Sequence, residues 1–114
     1  MTIRIRLATY NIHKCRGIDR RTSPERIAAV IAELDADVVA LQEVLDVQDG
    51  RPEFAQARQI NGKLKGYEWC FGENRTLHGG PYGNMTLSRF PLQVCQNYDL
   101  TSHHRERRGA CAPT

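Results

Sequence analysis

Two apolar runs, each stopping at a polar residue, set the pattern of this chain. The first alternates from Ile3 to Ala8, with Ile3, Ile5 and Leu7 set against Arg4 and Arg6, and leads into Thr9-Tyr10-Asn11-Ile12-His13. Alternation of that kind predicts a strand with one buried face. The second, Val38-Val39-Ala40-Leu41, is apolar at consecutive positions and ends in Gln42-Glu43. An interior strand covered on both sides has this pattern. Between them Ile27, Val30, Ile31 and Leu34 recur at helical spacing, opened by Ser23-Pro24 and Glu25. Serine caps a free N–H there, proline fits the first turn, and the glutamate suits the positive end of the helix dipole. Asp35 to Asp37 makes a short turn.

Strand, helix, strand is a crossover unit. Such crossovers are right-handed in nearly all cases and leave the two strands parallel. Asn11 and Glu43 then fall at C-terminal strand ends on one edge of the sheet, where open α/β sheets build their sites. A carboxylate beside an amide oxygen suits a hard cation such as Mg²⁺.

Downstream the pattern is less regular. A polar loop is expected over Lys14–Thr22 and another over Leu45–Pro52. Phe54, Ala57, Ile60 and Leu64 predict a second helix ended by Gly66. Tyr67–Phe71 reads as a third strand and Gly72–Gly83 as a glycine-rich loop. Asn84–Ser88 and Leu92–Tyr98 read as strands joined by a tight turn at Arg89-Phe90-Pro91, and Gly109–Ala112 as a last strand.

The 114 residues suit one domain, and 40% apolar with 25% charged residues argues against disorder. A net charge of +3 permits an anionic substrate without demanding one. The basic residues cluster only at Arg105, Arg107 and Arg108, with His103 and His104 beside them, a group that reads first as a solvated edge. Cys15, Cys70, Cys95 and Cys111 form no Cys-x-x-Cys pair, which argues against a zinc ribbon, and reduced thiols are expected. The N-terminus lacks the continuous apolar run of a signal peptide, and no stretch is long and apolar enough to span a membrane. A cytoplasmic protein is expected.

Taken singly, the candidate residues have ordinary readings. Asn11 suits a turn, Glu43 a surface carboxylate, and His13 either a phosphate donor or general acid or a histidine bonded to the backbone. Gly79–Asn84 could bring amides and the Asn84 side chain to a phosphate or serve as a connector. Lys14, Arg16, Arg20 and Arg21 could hold an anion or line an exposed loop. Joint placement of Asn11 and Glu43 favours function, because a carboxylate following a buried strand needs a cation or a donor.

Thr9-Tyr10-Asn11-Ile12-His13, Leu41-Gln42-Glu43-Val44 and Gly83-Asn84-Met85-Thr86-Leu87-Ser88-Arg89-Phe90-Pro91 together resemble the endonuclease/exonuclease/phosphatase superfamily, which includes DNase I-like and exonuclease III-like enzymes. Arg107-Arg108-Gly109 resembles a fourth, weaker motif. The nearest pattern is that of small bacterial members with Asn11-Ile12-His13-Lys14-Cys15 after the first strand. The resemblance spans nearly the whole chain. It implies an α/β fold, the N-terminal half of a four-layer α/β sandwich, with one mixed sheet carrying about two helices on its outer face. It implies Mg²⁺- or Mn²⁺-dependent cleavage of a phosphoester in nucleic acid, a phosphoinositide or a phospholipid head group. By position Glu43 matches the metal-binding glutamate, and Asn11 the asparagine that supports metal and phosphate. His13, Asn84 and Arg108 are candidate substrate contacts, although exonuclease III-like members carry Asn or Asp where this chain has His13.

The resemblance also implies a later Asp-x-Asn motif and a C-terminal Asp-His pair. After Gly109 only Ala110-Cys111-Ala112-Pro113-Thr114 follow. Residues 1–114 are therefore expected to be an N-terminal piece of the domain, inactive in isolation, with an apolar sheet face that favours a complementing chain or self-association. The rival readings are a non-catalytic fragment, an interaction module, or a nucleic-acid-binding module resting on the arginines near both ends.

Overall fold

The two parallel strands pair as the crossover requires. A computed structural model describes residues 2–92 and the backbone of two further strands, residues 95–99 and 109–113. β1 (Leu7–Asn11) lies alongside β2 (Val38–Leu45), with Leu7 opposite Val38 and Asn11 opposite Gln42. Helix α1 (Pro24–Leu34) connects them. Its cap is the expected one: Ser23 Oγ accepts from the Arg26 N–H at 3.2 Å. Helix α2 (Gln56–Lys63) follows a short 3₁₀ turn at Pro52–Phe54, so Phe54 precedes the helix rather than opening it. β3 (Glu68–Leu77) and β4 (Gly80–Ser88) are antiparallel, and the mixed sheet runs β1-β2-β4-β3. β5 (Cys95–Asp99) and β6 (Gly109–Pro113) form a separate antiparallel pair.

The helices cover one face. Val39, Leu41, Met85 and Leu87 are fully buried there against Ile31 and Ile60. Each such side chain contributes about 1.5–3 kcal/mol by leaving water. Within α1 the buried row is Ile27, Ala28 and Ile31, whereas Val30 and Leu34 stay 36% and 44% exposed. The expected stripe is thus rotated, and Val30 lines the groove beside the end of β1.

Three expectations about the strands change. The first strand starts at Leu7, and Ile3, Ile5 and Leu7 are exposed at 78%, 54% and 73%. A strand exists only where a partner exists, and β2 begins at Val38, which together with Asp37 takes the Arg6 carbonyl as its last upstream acceptor. The glycine-rich stretch 72–83 is no loop. It is most of a hairpin whose turn is His78-Gly79, at φ 53° and 86°, the left-handed pair that two-residue hairpin turns demand. Lastly, β4 pairs with β2 and β3, and β5 with β6, so Asn84–Ser88 and the strand after Pro91 are not hairpin partners.

The face opposite the helices is half covered. Cys70, Thr86 and Ser88 are buried where the β5–β6 pair packs on β3 and β4. Next to them on the same face, Leu7, Thr9, Val38 and Ala40 of β1 and β2 remain exposed or half-buried. Cys70 is disulfide-bonded while Cys15 is free and buried, which corrects the expectation of reduced thiols throughout. No helix of the described residues is long and apolar enough to cross a membrane.

A bolt of charges fixes the far end of the crossover. Arg89 donates to the Asp35 carboxylate at 2.5 Å, and its backbone N–H donates to the Asp37 carbonyl at 2.8 Å. The Asp37 carboxylate in turn accepts from the Arg6 N–H at 2.8 Å. Arg89 also lies over the Tyr67 ring, whose hydroxyl donates to the Ala36 carbonyl at 2.5 Å.

Gly83 tests the hairpin. A Cβ there would stand 1.9 Å from the Gly72 carbonyl oxygen, a backbone atom that cannot rotate away. Gly83→Ala is expected to lose about 3 kcal/mol, the upper end of ordinary overpacking costs, measured by urea denaturation. An unchanged midpoint would mean that the strands are less closely apposed than described.

Candidate functional site

Asn11 ends β1 and starts a tight turn. Its Oδ1 accepts from the His13 N–H at 3.1 Å, and the N–H of buried Ile12 continues the ladder to the Gln42 carbonyl at 3.1 Å. The next three residues, His13, Lys14 and Cys15, all have left-handed backbones, with φ of 50°, 55° and 60°. None is glycine, so the turn carries about 1–2 kcal/mol of unfavourable conformation per residue. It persists because its surroundings hold it. The Cys15 and Arg16 amides donate to the Ile12 and His13 carbonyls at 2.9 and 3.0 Å. Fully buried Gln56 donates through Nε2 to the Lys14 carbonyl at 2.6 Å and the Glu53 carbonyl at 3.0 Å, while its Oε1 accepts from the Leu45 N–H at 3.1 Å. Burial pushes the Cys15 thiol up to about 12, which leaves it protonated and unreactive.

Glu43 owes its position to a bulge. Leu41 pairs with Met85 and Val44 with Gly83, so Gln42 and Glu43 together face the single residue Asn84. The extra residue lets Leu41 and Val44 both reach the core, where each is fully buried, although three positions apart they would otherwise point to opposite faces. Glu43 takes the kink at φ 58°. Its carboxylate Oε2 lies 3.4 Å from His13 Nδ1, with Glu43 two-thirds shielded and His13 open to solvent. The Gln42 amide is committed elsewhere, donating to Thr9 Oγ1 at 2.9 Å and the Ala40 carbonyl at 3.2 Å.

The structure therefore gathers Asn11, His13, Glu43 and Asn84 at one edge of the sheet. Asn84 lies within β4, so the amides around it belong to a ladder and not to a phosphate-cradling loop. Arg108 lies outside the described residues, as do Arg105, Arg107, His103 and His104. Of the loop cations, Arg16 shares a groove of about 530 Å³ with Asn11 and His13, while Arg20 and Arg21 do not line it. Lys14 Nζ stands 5.9 Å from the centre of the Tyr82 ring.

Among the described residues no three His, Cys, Asp or Glu side chains come together as a metal cluster. Among the oxygen donors at the edge are the Glu43 carboxylate and the Asn11 amide oxygen, which keeps a lone pair beyond the one used by His13. Such a sparse, hard set fits a Mg²⁺-type ion, which retains waters and takes one or two carboxylates together with substrate oxygens.

Two residues escaped sequence reasoning. Gln56 looks like a solvent-facing helix residue, and only its position between apolar Phe54 and Ala57 hinted otherwise. Asp46 reads as a loop acid but is 8% exposed. Its Oδ1 forms an ion pair with Arg58 Nε at 3.5 Å and has no hydrogen-bond donor among the described residues. Burial raises its pKa, and the Arg58 charge opposes this only in part.

Comparison with known proteins points one way. The profile of the Endonuclease/Exonuclease/phosphatase family matches residues 8–112. The uncharacterised protein YbhP of Escherichia coli K12 is 26% identical over 111 residues, covering 91% of this chain and 44% of that protein; its Shigella flexneri counterpart gives the same values. Among solved structures, an endonuclease/exonuclease/phosphatase from Beutenbergia cavernae superposes with a TM-score of 0.71 at 28% identity, over 85% of this chain and 29% of that one. A family protein from Leptotrichia buccalis gives 0.63 at 16% identity, over 95% and 48%, and so speaks for the fold alone. The chain spans less than half the length of each of these relatives.

Two measurements test the local chemistry. Glu43→Gly should relieve the left-handed penalty of about 1–2 kcal/mol against about 0.5–1 kcal/mol of added chain entropy. A net gain of about 0.5–1 kcal/mol in denaturant stability is expected, and a loss would mean that the carboxylate stabilises the fold. For Asp46 the folded pKa lies above the unfolded one, so the folded state holds more protons between the two values. Stability should fall as pH rises through that window and stay lowered above it. Asp46→Asn should abolish this fall in a series of melts from acid to neutral pH, and a persisting slope would assign it to other groups.

Proposed function

The chain belongs to the endonuclease/exonuclease/phosphatase family, and from that premise we propose that it supplies the metal- and phosphate-binding half of a Mg²⁺- or Mn²⁺-dependent phosphoester hydrolase. The observation that carries this reading is the bulge. It spends backbone strain to set a glutamate beside Asn11, His13 and Asn84, inside β2 and not at its end as the sequence suggested, and strain retained in this way is a mark of function. Glu43 and Asn11 would hold the ion. That ion, when bound, neutralises charge on a phosphoryl oxygen and lowers the pKa of bound water.

The chain's own residues do the rest of the positioning. The Asn11 carbonyl is oriented by the His13 amide, and His13, within 3.4 Å of Glu43, can donate to a phosphate oxygen. Asn84 lies opposite the bulge and is proposed as a further contact to the substrate. These 114 residues are proposed to bind and not to turn over by themselves. The substrate classes are those of the sequence reading, a nucleic acid, phosphoinositide or phospholipid head group, with a complementing chain or second copy as the partner.

Manganese titration followed by electron paramagnetic resonance tests the reading directly. Saturable binding is expected in the unaltered chain, weakened at least about tenfold in Glu43→Gln. Hydrolysis of a phosphodiester reporter is expected only when the later half of a relative is supplied in cis or in trans. Equal Mn²⁺ affinity with and without the Glu43 charge would overturn the assignment.

A further inference from the structure

The left-handed turn at His13–Cys15 needs an anchor that its own sequence does not provide, and the structure contains one. We propose that Gln56, on a helix that supplies no other residue to the site, is the positioning residue for this edge; the proposal rests on the metal-site reading above. Gln56 is fully buried and uses both ends of its amide. Nε2 donates to the Lys14 carbonyl at the middle of the turn, and Oε1 accepts from the Leu45 N–H two residues beyond Glu43. A single side chain thereby ties the segment bearing Asn11 and His13 to the segment bearing Glu43. Its second donor bond, to the Glu53 carbonyl, fixes its own rotamer, so the amide is held before either segment docks on it.

The geometry explains why a hydrophobe would not serve. Lys14 sits at φ 55° and ψ 36°, and its carbonyl points into protein. Without a donor that carbonyl would be buried unpaired, and flipping the peptide outward would be the way to satisfy it. Outward flipping of the Lys14–Cys15 peptide would turn the Cys15 N–H away from the Ile12 carbonyl and so loosen the turn that holds His13 beside Glu43. Supporting partners of this kind change metal affinity about 10–100-fold when removed.

Gln56→Met keeps the volume and deletes all three hydrogen bonds. Ile60→Ala is the control: it lies on the same helix and in the same core, but bonds to neither segment. Both are compared with the unaltered chain at a temperature where each is folded. In Gln56→Met the Mn²⁺ dissociation constant is expected to rise about tenfold or more, and the positive φ of His13, Lys14 and Cys15, read from NMR couplings and nuclear Overhauser effects, to be lost. Ile60→Ala is expected to melt lower yet keep both. Retention of turn and affinity in Gln56→Met would overturn the proposal, as would an equal loss of both in Ile60→Ala. Should Gln56→Met fail to fold, Gln56→Asn, which keeps an amide and shortens its reach by one methylene, is read by the same criteria. Should the unaltered chain bind no Mn²⁺, the metal reading fails, and the turn conformation alone decides the role of Gln56.

Discussion

A strand that sends Leu41 and Val44 into one core cannot keep a strict two-residue alternation and also turn the carboxylate between them outward. β2 meets both demands by giving up one register position. Leu41 and Val44 both go inward, and Gln42 and Glu43 share the space opposite Asn84. The remaining features follow from that displacement. Leu45 and Val47 regain the interior with Tyr82, and the Leu45 amide becomes available to Gln56. The Gln42 carbonyl is left to receive the Ile12 N–H, which draws the turn bearing His13 toward Glu43.

The two ends of the sheet are built on different principles. At the Asp35–Asp37 end, exposed charges are matched by Arg6 and Arg89, and Asp35, whose carboxyl Arg89 holds below the usual range, makes the helix stop in a left-handed cap. Such exposed pairs contribute little individually, but here they accompany backbone hydrogen bonds that fix where β2 begins. At the Glu43 end no lysine or arginine pairs with the carboxylate among the described residues, His13 Nδ1 lies 3.4 Å from it, and conformational strain replaces electrostatic satisfaction. An edge arranged in this way gains from any ligand that supplies the missing positive charge.

Much of this was legible in the residues. Ser23-Pro24, the Ile27–Ile31 row and the doubly apolar Val38–Leu41 run gave the crossover, and parallel pairing brought Asn11 near Glu43, whereas Asn84 joins them from the antiparallel strand β4. The rest was hidden for physical reasons. Glycines at 72, 79, 80 and 83 look like a loop, yet Gly72 and Gly83 mark a close approach of two strands, and only His78-Gly79 is a turn. Ile3 and Ile5 alternate convincingly but have no partner strand to define them. The bulge leaves no composition signature, since a glutamate occupies a backbone conformation that usually selects glycine. Gln56 reads as a surface residue until the turn it supports is known, and Arg108 lies beyond what the structure describes.

The strand order also bears on how the edge is assembled. β3 and β4 are neighbours in sequence, joined by the two residues His78-Gly79, so closing their hairpin restricts very little chain. β1 and β2 are joined through the entire stretch from Ile12 to Asp37, and their contact must first confine that length of chain. Local pairs therefore lead and the parallel pair trails. Asn84 is in place on the local hairpin, whereas Asn11 and His13 reach Glu43 only once β1 and β2 pair across their long connection. The candidate edge thus joins a local contact to non-local ones, and its geometry depends on both being closed.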